Sequence, residues 1–384
     1  MDFNLNAEQQ LLQDSVRRFV EREYSFEART TLISVHSTCD PAHWQTFGDN
    51  GWLAAALPES CGGLDGTLID TVLIAREFGR ALVLEPYLGC AVLAAQTLLA
   101  AGTESQKRSW LPQLADGSLR MALAYGEAQS RGLPEPVEVR ARPVSNGYTI
   151  SGTKTLVLGG ADADSFIVSA RTPDADGITL FLVHGDTPGL SRRVLPLHDG
   201  TFGAELSFDN VAVTRDAVLG QPGAGLAAIR HGLAHATAAL CAELVGGMEK
   251  AIELTADYLK MRKQFGVPIG SFQALQHRIA DMAADLEIAR SMLYALVASI
   301  QNDSEPERLL AVSQAKSVIG RAARAVCAQA IQLHGGIGMT EEYVVGHYYK
   351  RAVVADVLFG TSDQHDSLCA AQLRKELLQE DRHA

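Results

Sequence analysis

The sequence predicts an α+β protein with an N-terminal helical domain, a small β-barrel domain in the middle and a C-terminal four-helix bundle. Three observations carry that expectation. Apolar residues recur at helical spacing through the first part of the 384-residue chain. From about residue 119, short β-branched runs alternate with turn signals, and from about residue 223 four long Ala- and Leu-rich stretches follow with few breakers. The implied boundaries are 1–118, 119–222 and 223–384.

In residues 7–23, Leu11, Leu12, Val16, Phe19 and Val20 mark an amphipathic helix with Asn6 as its N-cap. Residues 44–57 read as helical or mixed, and Pro58 through Gly63 suit a turn. Helical spacing resumes over 67–82 and 87–101, and 106–114 reads as a short helix interrupted at Pro112. Strands are expected at 121–125, 147–150, 166–171, 178–183 and 205–213, separated by Asn-Gly, Pro-Asp, Asp-Gly and Pro-Gly pairs. Arg140, Arg142, Arg171, Arg192 and Arg193 make this stretch less acidic than the rest. Over 226–262, residues such as Leu233, Leu240, Leu244, Met248, Leu254 and Tyr258 form one stripe, and a helix of that length packs in a bundle. Similar patterns fill 271–300, 307–334 and 342–358.

Hydrophobic content of 47% with 20% charged residues belongs to a globular protein. A net charge of −12 with no long basic run argues against nucleic-acid binding and requires local cations for any anionic ligand. The first ten residues lack a basic n-region and an apolar core, so no secretory signal is expected. The longest apolar stretch, 88–101, is too short to span a bilayer and is broken by Gly89, Gln96 and Thr97. A cytoplasmic protein without membrane insertion is the expectation. Cys39, Cys61, Cys90, Cys241, Cys327 and Cys369 show no C-x-x-C or paired His spacing and read as reduced core residues, with no metal site.

Three motifs can carry chemistry. Residues 262–273, R-K-Q-F-G-V-P-I-G-S-F-Q, put a cation, a ring, glycines and an amide where a long helix stops. Arg262 suits a bidentate grip on phosphate. It equally suits a helix C-terminus, with Gly266 as the C-cap residue. Local sequence leaves both readings open. Residues 332–339, Q-L-H-G-G-I-G-M, either end a helix at glycine or let backbone N–H groups approach a ligand, with Gln332 offering an amide. Residues 360–363, G-T-S-D, form a turn with hydroxyls. A fourth match, G-x-G-x-x-A at 223–228 with Glu243 twenty residues on, imitates a dinucleotide fingerprint but opens a helix of about 35 residues, too long for a βαβ unit.

Taken together, Y-L-x-x-R-x-Q-F-G-x-P-I-x-x-F-Q-x-x-Q-H at 258–277, Q-L-H-G-G-I-G at 332–338, G-T-S at 360–362 and L-P-E-x-x-G-G at 57–63 resemble the acyl-CoA dehydrogenase family across the whole chain. Within it, E-P-Y-L at 85–88, A-A-L-C-A-E at 238–243 and E-Y-x-V-G-H-Y at 342–348 are similar to the small subunits of bacterial pimeloyl-CoA dehydrogenases. The resemblance implies an acyl-CoA dehydrogenase-like fold, FAD as cofactor, an acyl-CoA substrate, dicarboxylyl-CoA among the options, and electron-transfer flavoprotein as acceptor. In the family a carboxylate removes the α-proton while the β-hydride goes to the flavin. Arg262, Phe265, Gln273, Gln332, Gly335, Gly336 and Thr361 are the implied cofactor-binding residues, most of them reaching a neighbouring subunit's FAD.

The catalytic half departs from that pattern. Phe359 stands where the family has a Glu before Gly-Thr-Ser, and Ala236, followed by Thr237, stands at the alternative base position. Gly126 replaces the flavin-bonding Thr, and Leu156-Val157-Leu158 replaces the Trp-x-Thr segment. Glu243, Asp363 and His365 remain as weak substitute bases. The resulting expectation is a subunit of a hetero-oligomer, such as a heterotetramer, whose partner supplies flavin contacts and the catalytic Glu. The alternatives are a self-sufficient homo-oligomer with an unconventional base, or a non-catalytic scaffold.

Overall fold

The computed structural model describes residues 5–380, with side chains through residue 375. The chain forms two compact units, each interrupted in sequence. One comprises Arg29–Thr71 and Leu84–Ala236, the other Met1–Ala28, Val72–Val83 and Thr237–Ala384.

The helical elements begin with α1 (Ala7–Glu23), capped as expected by Asn6, whose side chain accepts from Gln9 N at 2.8 Å while Gln9 returns the bond. Its buried face is Val16, Phe19 and Val20, whereas Leu11 is exposed. Helix α2 (Phe26–Ser34) was not expected, because its apolar residues have no periodicity; Arg29 is buried on it and donates to the Asp199 carbonyl at 2.5 Å. The segment expected at 44–57 is helical only as α3 (Pro41–Asp49), started by the Asp40 cap. Then come α4 (Leu68–Ala81), a π-helical turn at Leu88–Ala94, α5 (Ala95–Ala101) and α6 (Glu104–Ala115). Pro112 does not interrupt α6: the helix runs on to Ala115, with Pro112 in its last turn lacking only its own N–H.

The strands are β1 (Met121–Ala124), β2 (Arg140–Val144), β3 (Gly147–Leu158), β4 (Ser165–Thr172), β5 (Ala175–His184), β6 (Leu190–Pro196), β7 (Phe202–Thr214) and β8 (Val218–Leu219). They pair in the order β6-β7-β3-β2-β4-β5-β8, with β1 added parallel to β4, so β6 and β8 end the path. Strands β2 and β6 escaped the sequence reading because they read as polar: only Ala141 is buried on β2, and no β6 residue is. The sheet core is built from Ile150, Phe166, Val168, Phe181, Val183 and Leu206. Each such side chain contributes about 1.5–3 kcal/mol by leaving water.

The second unit contains most of α7 (Gly225–Met261), a two-stranded ribbon of β9 (Lys263–Gln264) and β10 (Val267–Pro268), and α8 (Gln273–Asn302), α9 (Glu305–His334), α10 (Val345–Val357) and α11 (Ser362–Glu380). Helices α8, α10 and α11 all pack on α9. Gly246, a breaker within α7, has a packing reason: a Cβ there meets the Arg76 carbonyl oxygen of α4 at 2.0 Å, and Gly79 answers it with a Cβ position 2.0 Å from the Glu243 oxygen. The two backbones approach too closely for any side chain. Where residues 360–363 read as a turn, α11 begins; its polar face hid it from the periodicity. The described cysteines are all free, five of them buried. Among the described residues no helix is long and apolar enough to cross a membrane.

Candidate functional site

At the end of α7 the chain does not stop on a Gly C-cap. Instead Lys263 and Gln264 pair with Pro268 and Val267 in a hairpin, and the two loop residues, Phe265 and Gly266, both have positive φ, +54° and +83°. That is the requirement of a type I′ turn. For Phe265 the left-handed conformation costs about 1–2 kcal/mol, and the ring is 92% exposed, so burial returns nothing. Arg262 precedes the hairpin, exposed, with its backbone N–H on Tyr258 O and its carbonyl on Ile269 N, both 2.8 Å. The backbone is fixed while the guanidinium points to solvent. Gln273, the first residue of α8, is exposed as well.

The end of α9 lies beside this hairpin. Tyr258 stacks on His334 with ring centroids 4.4 Å apart, and Tyr343 packs on the other side at 5.0 Å. His334 Nδ1 donates to Ala330 O at 2.8 Å, so Nε2 is left as a bare acceptor, buried and without a partner. Burial lowers the His334 pKa and favours this neutral form. Gly335 then turns with φ +68°, and a Cβ added at Gly335 or Gly336 meets nothing within 4 Å. Their backbone faces open space, next to exposed Gln332. The structure therefore brings Arg262, Phe265, Gln273, Gln332, Gly335 and Gly336 to one end of the bundle.

Thr361 is not with them. Its neighbour Gly360 receives a hydrogen bond from Lys316 Nζ at 2.9 Å, and Lys316 and His334 are 18 residues apart on α9. At a rise of about 1.5 Å per residue that is about 27 Å along the axis. The Thr361 hydroxyl accepts from Gln364 N at 3.3 Å while Thr361 N donates to Gln364 Oε1 at 2.8 Å, a reciprocal cap that starts α11.

The loop before α11 holds Phe359, 5% exposed and with φ +62°. Two buried groups clamp it. His365 Nε2 donates to Phe359 O at 3.0 Å, and fully buried Lys316 donates to both Asp356 O (3.1 Å) and Gly360 O (2.9 Å). From sequence His365 was singled out only as a substitute base, and Lys316 not at all, although Lys316 interrupts the apolar stripe of Val312, Ile319 and Ala323 and was detectable there.

None of the three substitute bases has a free acceptor facing a cleft. Glu243 is ion-paired with Arg351. Asp363, its side chain 92% exposed, pairs with Arg321 at 3.0 Å. His365 uses both nitrogens, Nδ1 being 3.1 Å from Ser313 Oγ. Phe359 is a hydrocarbon, and Ala236 is buried with no proton acceptor.

In the sheet unit, Gly126 offers no side chain, and a Cβ there lies 3.1 Å from Thr155 O. Leu156, with φ +49°, sits where the β3–β7 register shifts, and Leu156, Val157 and Leu158 are all aliphatic. Behind them Lys154 is fully buried, with Nζ 2.6 Å from Glu127 Oε1, 2.8 Å from Ser169 Oγ and 3.2 Å from Tyr125 O. Glu127 also accepts from Glu138 N and Val139 N, so this buried pair is fully hydrogen-bonded. It supports the strand and faces no solvent.

The two halves thus differ in what they fit. The α7–α9 end offers an exposed guanidinium, a strained exposed ring, amides and an open glycine backbone, which suit a phosphate-linked adenylate. Gly126 and Leu156 through Leu158 themselves provide no side-chain donor and no ring.

Comparison with known proteins agrees with this architecture. Family profiles described as acyl-CoA dehydrogenase N-terminal, middle and C-terminal domain match residues 6–118, 122–211 and 223–373. A probable acyl-CoA dehydrogenase, YngJ, of Bacillus subtilis is 32% identical over 98% of this chain and all of that one. Among solved structures, the ChsE4-ChsE5 complex from Mycobacterium tuberculosis is similar with a TM-score of 0.88 and 27% identity, covering 97% of this chain and 99% of that one. A structure described as the FAD complex of PigA has a TM-score of 0.89 and 27% identity with the same coverage. With three profiles in order along the chain and a full-length relative above 30% identity, the chain belongs to the acyl-CoA dehydrogenase family, oxidoreductases acting on CH–CH bonds.

Proposed function

We propose that this chain is one subunit of a hetero-oligomeric, FAD-dependent acyl-CoA dehydrogenase. It contributes Arg262, Phe265, Gln273, Gln332, Gly335 and Gly336 to the adenylate half of an FAD whose ring lies in a partner subunit. That partner also brings the carboxylate that takes the α-proton of the acyl-CoA thioester. The observation that carries the reading is the contrast between two places on α9: an open, cationic, glycine-lined end, and a loop about 27 Å away whose Phe359 is buried and inert.

When bound, the flavin accepts the substrate hydride. This chain's own part is binding: the Arg262 fork suits the pyrophosphate, and the Gly335-Gly336 backbone permits close approach. Thr361 lies away from this end of the bundle, and its hydroxyl accepts a capping bond from Gln364 N while keeping its own O–H to donate. Losing a positioned base removes a factor of about 10²–10⁴ in rate, and the pairing of Glu243, Asp363 and His365 argues against a replacement within this chain.

The test is expression alone and with a family partner that carries Glu before Gly-Thr-Ser. Alone, the chain should hold little FAD and reduce no dye with acyl-CoA; together, both should appear. Full flavin occupancy with brisk acyl-CoA oxidation by the isolated chain overturns the proposal.

A further inference from the structure

One face of the sheet carries a cationic cluster that the reading above does not use. Strands β2 and β4 run parallel with Arg140 directly opposite Arg171, and Arg142, two residues along β2, projects from the same face. Like charges directly opposed weaken a ladder unless something neutralises them. All three arginines are exposed, and among the described residues no carboxylate pairs with any of the three guanidiniums. The nearest acids in sequence are engaged elsewhere: Asp174 accepts from Tyr148 OH at 2.9 Å, and Glu138 from Gln129 Nε2 at 2.7 Å.

The three arginines help line a half-open cavity of about 600 Å³, walled by Pro143 and Pro173 and containing one acid, Asp176. Three guanidiniums against one carboxylate leave a local charge of +2 in a chain whose net charge is −12. A phosphate dianion matches that excess and can accept from several guanidinium N–H groups at once, which a carboxylate of charge −1 cannot do as fully. The cavity has the volume of a small-molecule site, and the overall negative charge disfavours a nucleic acid. We propose that this cavity binds a phosphate-bearing small molecule, a monoester or diphosphate, through Arg140, Arg142 and Arg171.

The experiment titrates pyrophosphate and inorganic phosphate into the full chain by calorimetry at low ionic strength. An R262A background removes the other site suited to phosphate. Saturable one-site binding of pyrophosphate is expected. The added substitutions R140Q and R171Q together should weaken it about tenfold or more, while R193Q, remote in role because Arg193 pairs with Glu205, leaves it unchanged. Thermal unfolding should be unaltered or slightly raised, because the side chains are exposed and the opposed charges are relieved, and R142Q alone gives a milder second reading. The proposal is overturned by failure to saturate, by equal affinity in the double variant, or by hexaglutamate binding as tightly as pyrophosphate.

Discussion

His365 Nε2 donates to the carbonyl oxygen of Phe359 at 3.0 Å, tying the first turn of α11 to the residue that stands where the family places its base. Because a carbonyl only accepts, Nε2 carries the proton and Nδ1 is the acceptor facing Ser313 Oγ in the neutral ring. Burial lowers the His365 pKa from 6.5. The unfolded chain therefore takes up a proton below that value while the folded chain resists it, so this contribution to stability is present above pH 6.5 and is lost as pH falls through the lower folded value. Urea midpoints at about pH 7.5 and about pH 5.5 should show a larger acid loss in wild type than in H365N. An equal loss in both removes His365 as the acid-labile group.

Lys316 holds the same loop from the other side. Replacing it with Met in K316M keeps the volume but leaves the Asp356 and Gly360 carbonyls without their donor, at about 1–3 kcal/mol for each group left unsatisfied. The desolvation penalty that lowers the Lys316 pKa is relieved at the same time, so the net loss should lie at the low end of the sum. Hydrogen exchange should accelerate at residues 358–362 and not at the hairpin of 263–268.

Restoring a carboxylate should not restore a catalyst. F359E places Glu in a 5%-exposed site, lowering stability, and the positions at Gly126 and at 156–158 still give the flavin nothing to hold. The isolated F359E chain should show no acyl-CoA-dependent dye reduction. Appreciable turnover would mean that the missing flavin contacts do not matter.

The buried pair in the sheet gives a pH signature of the same sign in a more alkaline window. Lys154, lowered to about 8 by burial against the pull of Glu127, releases its proton in the folded chain before the unfolded one does. Stability should therefore rise with pH between about 8 and the ordinary lysine value of 10.5 in wild type relative to K154M. K154M itself should cost about 3–5 kcal/mol because Glu127 loses its counter-charge while buried.

Much of this was legible before the coordinates because helix periodicity and caps are local: Asn6, the α7 stripe and the end of α9 at His334 fall where the residues say. What was hidden is non-local or polar. Strand β2 is stabilised by pairing on both sides and not by its own apolar pattern. The clamps on Phe359 come from residues 43 positions back and six ahead. That Thr361 stands far along α9 from the Arg262 cluster, at the start of α11, was not legible from the Gly-Thr-Ser turn alone. The Phe265-Gly266 hairpin could not be told from a helix cap, because glycine after a basic turn fits both and only the φ of Phe265 decides.

That φ sets up the sharpest test of the half-site. An exposed Phe at φ +54° gains almost nothing from burial and carries strain that a glycine would not. In F265G, relief of about 1–2 kcal/mol is set against about 0.5–1 kcal/mol of added chain entropy, so stability should be unchanged or slightly higher. Flavin retention in the complex with its partner should nevertheless fall, as it should in R262A, whose exposed side chain makes no hydrogen bond or ion pair among the described residues. For R262A the loss of a charged hydrogen bond corresponds to about tenfold in affinity, read as FAD released on dilution. The edge-on contact with Phe272 at 6.2 Å is the one ring contact of Phe265 among the described residues, and strain kept in so exposed a turn points to a ligand. If F265G and R262A both keep their flavin while melting normally, the strained turn serves something other than the adenylate, and the half-site reading fails.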